Sequence, residues 1–177
     1  MSIWDRLFSK KKVSEVSSLL KEIPLFAELS SYELSLLEQI VHQRSYGSGE
    51  AVFRDGDPGV GFYIVKEGRI NILSSKPEMI LTELADGDFF GEIAILNDLP
   101  RSATARAKAP TSILAFFKAD LFQLMRDNPK LGFSIISALS RIVGDRLVAA
   151  NELNDSLRSR LANFESGESP SASTIGI

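Results

Sequence analysis

From Tyr46 to about Phe117 the chain is a succession of short apolar runs broken at close intervals by Gly, Pro, Asp and Ser. The runs are Ala51 to Phe53, Gly61 to Val65, Arg69 to Leu73, Ile80 to Leu84, Ser102 to Ala107 and Ser112 to Phe117. Runs this short, rich in Val, Ile, Phe and Tyr, are strand material. Their regular turn signals predict a β-sandwich or barrel of the jelly-roll kind with about eight strands. Gly47, Gly49, Gly56, Gly59, Gly68 and Gly87 fall at the ends of the runs, where the chain must turn tightly.

The flanks have a different period. From Val13 to Val41 the apolar residues Val16, Leu19, Leu20, Ile23, Leu34, Leu37, Ile40 and Val41 recur at helical spacing, interrupted at Pro24. Two helices joined by a turn are expected, the second capped by Ser30 or Ser31 and carrying Glu33 or Glu38 on its exposed side. His42, the single histidine, is expected on the surface at that helix's end. After Lys118, Asp120 to Asn128 reads as a short helix closed by Pro129, and Lys130 to about Leu161 as one long helix. Within it Ile136, Leu139, Val143, Ala150, Leu153 and Leu157 follow steps of three and four, with Arg146 occupying the place between Val143 and Ala150. That spacing suits the coiled-coil seam of a homodimer, and packing on the chain's own barrel would use part of the same set.

The expected fold is therefore α+β: a jelly-roll barrel flanked by N-terminal helices and by C-terminal lid and dimerisation helices. The expected segments are an amphipathic stretch at 1–12, helices at 13–45, the barrel at 46–117, helices at 118–164 and a disordered Ser-, Gly- and Pro-rich tail at 165–177. In the first stretch Ile3, Trp4, Leu7 and Phe8 lie at helical spacing ahead of Lys10-Lys11-Lys12. Two readings stay open for it: peripheral contact with an acidic membrane surface or a partner's groove, and a turn packed on its own domain.

Composition removes several function classes. A net charge of −3 and a pI near 5.3 leave no basic footprint for nucleic acid. There is no cysteine, hence no disulfide framework, thiolate nucleophile or Cys-type zinc site. One histidine excludes the usual metal cluster of a cupin-type jelly-roll enzyme. No apolar run reaches the roughly 18 residues of a membrane span, and the first residues lack the apolar core of a signal peptide. A soluble, cytoplasmic, non-enzymatic protein without a metal is expected.

The chemistry concentrates in Gly87 to Thr104, which places a Gly, a Glu, a short apolar helical turn and Pro100-Arg101-Ser102 within one loop. A glycine lets the backbone approach a ligand, N–H groups at the start of a helical turn attract an anion, and an arginine holds phosphate oxygens through two donors. A carboxylate beside such a site would repel a bare anion but can accept from hydroxyl groups. Glu92 next to Arg101 therefore points to a sugar phosphate.

The stretch Phe90-Gly91-Glu92-Ile93-Ala94-Ile95-Leu96-Asn97-Asp98-Leu99-Pro100-Arg101-Ser102-Ala103-Thr104 closely resembles, without gaps, the phosphate-binding cassette of cyclic nucleotide-binding domains. These are the modules of catabolite activator proteins, cyclic-nucleotide-dependent kinase regulatory subunits and gated channels. Tyr46 to Asp57 is similar to the family's first barrel strands and Phe62 to Gly68 to the next hairpin, so the likeness covers about Pro24 to Leu147. It implies that Glu92 accepts the ribose 2′-hydroxyl and Arg101 pairs with the cyclic phosphate. It also implies that the backbone N–H groups of Gly91, Ile93 and Ala94 face the same ligand, and that Ser102 contacts a phosphate oxygen or the base. Base preference stays open between cAMP and cGMP, with cAMP favoured. The resemblance further implies a lid formed by the helices after the barrel, around Leu121 to Met125 with a hinge near Asn128-Pro129. Arg141, Arg146 and Asn151 are the polar candidates on the long helix for approaching the base. Only a low-complexity tail follows Leu161, so a stand-alone sensor without a helix-turn-helix domain is expected, acting on an unidentified protein partner. The alternative is an interaction module that keeps the fold and binds no nucleotide.

Overall fold

The computed structural model of the protein describes residues 14–75 and 77–165; the stretch 1–12 and residues 166–177 of the expected tail lie outside them. The chain forms two compact units divided between Ala138 and Leu139, and each is described by itself.

Among the described residues the first unit opens with helix α1 (Glu15–Glu22) and helix α2 (Ser31–Glu38). Ser30 caps α2 in a reciprocal box: Glu33 N–H donates to Ser30 Oγ at 3.3 Å, and Ser30 N–H donates to Glu33 Oε2 at 2.8 Å. Such a box satisfies two donors that a helix start otherwise leaves open. Glu38 is tied across to α1, accepting from Ser17 Oγ at 2.6 Å.

Eight strands follow among the described residues: β1 (Val41–Tyr46), β2 (Ala51–Phe53), β3 (Gly61–Glu67), β4 (Ile70–Ser75), β5 (Glu78–Leu84), β6 (Phe89–Phe90), β7 (Thr104–Ala107) and β8 (Thr111–Phe117). They form two four-stranded antiparallel sheets, ordered β1-β8-β3-β6 and β2-β7-β4-β5. Apart from the β4–β5 hairpin, hydrogen-bonded neighbours are distant in sequence, as in a jelly roll. Tyr63, Val65, Ile70, Phe90, Ala105, Ala107, Ile113 and Ala115 form a buried core cluster. The alternate residues Phe62, Ile64, Leu114 and Phe116 are fully buried as well. Phe26, from the turn between α1 and α2, lies over them with ring centroids 6.2 Å from Phe62 and 5.7 Å from Phe116, which are themselves stacked at 4.9 Å. Both faces of β3 are thus covered, which is why its sequence is a continuous apolar run without alternation.

Two expectations are corrected here. Strand structure begins at Val41, ahead of Tyr46, within the segment expected to be helical. β1 is an edge strand whose middle residues are all exposed, so no apolar alternation marks it; its antiparallel pairing with β8, from Val41 opposite Phe116 to Tyr46 opposite Thr111, makes it a strand. His42 accordingly lies in β1. Its Nε2 is 3.5 Å from Asp120 Oδ2 and its ring centroid 5.1 Å from that of Phe117.

Three helices complete the described chain: the one-turn α3 (Ile93–Leu96) between β6 and β7, α4 (Lys118–Asp127) directly after β8, and α5 (Pro129–Glu165), which continues through Gly144 without a break. The second unit consists of α5 from Leu139 onward. Along it Leu147, Val148, Leu153, Leu157, Leu161 and Phe164 are exposed. No helix among the described residues is long and apolar enough to cross a membrane.

Candidate functional site

β6 ends at Phe90, and Gly91 redirects the chain with φ +78°, a conformation in which a side chain is strained. This turn sets Glu92 at the N-terminal boundary of α3. The carboxylate-bearing residue is only 5% exposed. Ile93 and Ala94 begin the helical turn, where backbone N–H groups have no acceptor within the helix, whereas Ile95 N–H already donates to Glu92 O at 2.9 Å.

Arg101 returns to the same place from the far side of the loop. Its backbone is stitched to the segment after β2: Arg101 N–H donates to Asp57 O at 2.9 Å and Gly56 N–H donates to Arg101 O at 2.8 Å. Asp57 Oδ2 accepts from Arg54 N–H at 2.7 Å, and Thr104 Oγ1 from Asp55 N–H at 3.1 Å, which holds that segment in shape.

Arg101 as a whole is 7% exposed. Nη1 donates to Gly91 O at 3.0 Å and Nη2 to Gly61 O at 2.7 Å. The planar group lies 4.1 Å from the centroid of the Phe53 ring and 5.6 Å from that of Tyr63, an arrangement in which ring quadrupoles attract the cation. Nε is buried without a hydrogen-bond partner. Burial lowers the Arg101 pKa, and Tyr63, Asp57 and Glu92 act in the opposite direction. Arginine starts from so high a value that the group stays charged. Gly61 is required by space: a Cβ there would lie 2.1 Å from Phe116 O.

The fold thus brings Gly91, Glu92 and Arg101 into one buried cluster at the head of α3. Of the other expected site residues, Ile93 is half exposed, Ala94 follows it in α3, and Ser102 is exposed in the bend after Arg101. Arg106 is turned away into an ion pair with Glu78, Nη1 to Oε1 3.0 Å. Asp98 pairs with Lys118 at 2.7 Å. The sequence reading missed Phe53, Tyr63, Asp57 and Gly61, which surround Arg101 from β2, β3 and the segment between them. No local pattern marks them, because their role comes from packing across strands. Among the described residues no group of three or more His, Asp or Glu could hold a metal ion.

A buried cation with an unsatisfied donor, beside a buried carboxylate, can take a ligand carrying both an anionic and a hydroxyl group. Comparison with known proteins gives the same direction. Residues 43–128 match the family model described as the cyclic nucleotide-binding domain. A cAMP-dependent protein kinase regulatory subunit of Yarrowia lipolytica is 36% identical over 110 residues, 62% of this chain and 29% of that protein. A potassium channel protein of Rhodopseudomonas palustris is 35% identical over 130 residues, 73% of this chain and 31% of that protein. The crystal structure of Thermus thermophilus catabolite activator protein superposes with a TM-score of 0.68 at 31% identity, covering 76% of this chain and 63% of that one. The chain spans less than a third of the length of these curated relatives.

Proposed function

We propose, for a chain whose residues 43–128 belong to the cyclic nucleotide-binding domain family, that it is a sensor in which Arg101 holds the phosphate and Glu92 the ribose of a cyclic nucleotide. The observation that carries this reading is Arg101 Nε, buried and without a partner. A buried unsatisfied donor costs about 1–3 kcal/mol, which a phosphate oxygen would recover. Glu92 accepts from the ribose 2′-hydroxyl, the N–H groups of Gly91, Ile93 and Ala94 face the anion, and Ser102 stands at the exposed mouth toward the base. cAMP is the preferred ligand, supported by the relatives named as cAMP-dependent kinase regulatory subunits. The bound state regulates a protein partner: the ligand favours one of two arrangements of the helices after the barrel, and shifts their equilibrium only by its differential affinity for the two. The exposed apolar residues of α5 serve a homodimer.

A second reading is favoured by a specific observation. Arg101 donates to two backbone carbonyls at 3.0 and 2.7 Å, so protein groups by themselves can brace the loop, as in a domain that serves only for protein interaction. Calorimetric titration of the purified chain with cAMP and cGMP separates the two. Saturable heat with either nucleotide supports the sensor, and silence with both up to about millimolar concentration, a binding free energy of only about −4 kcal/mol, establishes the interaction module.

A further inference from the structure

Lys118 stands at the junction of three elements: the end of β8, the start of α4 and the exit of the α3 loop. Its N–H donates to Val60 O at 2.8 Å. The very next carbonyl, Gly61 O, accepts from Arg101 Nη2 at 2.7 Å. Two adjacent peptide groups at the head of β3 are therefore held by the site arginine on one and by the first residue of α4 on the other. The Lys118 side chain closes the circuit. Nζ donates to Asn97 O at 3.1 Å and to Asp98 Oδ1 at 2.7 Å, and lies 5.4 Å from the Phe122 ring centroid in α4.

We propose that Lys118 is a positioning residue that latches the exit of the α3 loop to the first turn of α4, so that movement of the loop is passed to that helix. The inference rests on the sensor reading only for the identity of the signal; the latch itself is made entirely of protein groups. An ordinary surface ion pair would contribute almost nothing of this kind. Here the lysine side chain is 20% exposed although Asp98 is 97% exposed, and one of its acceptors is backbone. Asn97 caps the C-terminus of α3, where carbonyls lack partners within the helix and the dipole favours a cation. Asn97 Oδ1 in turn accepts from Leu99 N–H at 3.2 Å, which fixes the loop that Lys118 grips. Hydrogen bonding and the charge of Lys118 both lower the Asp98 pKa.

The test is amide hydrogen exchange on the full chain, with and without saturating cAMP, for wild type, Lys118→Met and Lys118→Arg. In nucleotide-free protein, Lys118→Met is expected to raise exchange at Ile95 and Asn97 and also at Leu121 to Met125, with Lys118→Arg close to wild type. Unchanged exchange in either element overturns the latch, as does an equal defect in both variants. With cAMP, Lys118→Met should retain affinity within about fivefold, because Lys118 reaches the ligand only through other groups, and lose the nucleotide-dependent change in α4. An undiminished change in α4 also overturns it. If wild type binds no nucleotide the sensor reading fails alone, and the nucleotide-free comparison still decides the latch.

Discussion

Arg101 and Gly91 constrain one another: the arginine Nη1 donates to the glycine carbonyl at 3.0 Å, and a Cβ on the glycine would lie 2.7 Å from that same nitrogen. The glycine also adopts φ +78°. Gly91→Ala therefore meets backbone strain of about 1–3 kcal/mol and displaces the guanidinium. Chemical denaturation should show a loss of that size, and nucleotide titration a weaker affinity. Full stability and full affinity in the variant would mean that the turn is not as described.

Arg101→Ala should weaken nucleotide binding by about 2–5 kcal/mol, as expected when a buried charged anchor is truncated. Arg101→Lys is expected to fall between the two. A lysine keeps the charge but cannot reach the Gly61 and Gly91 carbonyls as a planar fork while lying on Phe53. Calorimetry on both variants checks this, and unchanged affinity in Arg101→Ala would place the phosphate elsewhere.

The α2 cap predicts a pH dependence. The Ser30 hydroxyl, followed by the Ser30 backbone N–H, holds the Glu33 pKa below its ordinary 4.5. A carboxylate lowered in the folded state stabilises fully above its unfolded value, and the contribution is lost as pH falls through the lower folded value. The stability gap between wild type and Glu33→Gln should therefore be present at neutral pH and vanish in acid. Ser30→Ala should cost about 0.5–2 kcal/mol at neutral pH. Urea denaturation across the pH range measures both.

Phe116 is fully buried between Phe26 and Phe62. Replacing it by alanine leaves a cavity where three rings meet, and should cost about 3–5 kcal/mol in unfolding free energy. Loss of less than about 1 kcal/mol would show that the site collapses around the gap.

For the proposed dimer, light scattering on the full chain and on a chain ending after Gly144 is decisive. A dimer that becomes a monomer on shortening supports assembly through α5, where Leu147, Leu157, Leu161 and Phe164 are exposed. A shortened chain that remains a dimer places the interface elsewhere.

What could be read from the residues alone follows a physical division. Glu92, Arg101 and the turn between them are contiguous, so their chemistry is visible in one short stretch. The groups that give Arg101 its environment are not, because Phe53, Gly61 and Tyr63 meet it only when β2 and β3 are folded. The jelly roll was legible from its short runs and turn residues, and the start of α2 from the capping serines Ser30 or Ser31, whereas the reciprocal part of Glu33 in that cap was not. β1 was not legible as a strand, since an exposed edge strand needs no apolar face. The role of Lys118 was equally hidden, because a lysine after a strand carries no mark of what its ammonium will grip.

The aromatic stack over the sheet has one more implication. Phe26 covers Phe62 and Phe116, yet the family model matches only residues 43–128. The segment matched by the family model is thus shorter than the packed core it belongs to. A fragment cut at that border would leave two stacked rings facing water, and should clump when concentrated. The helical preface behaves as the barrel's gasket, and transplanting the sensor into another protein means carrying it along.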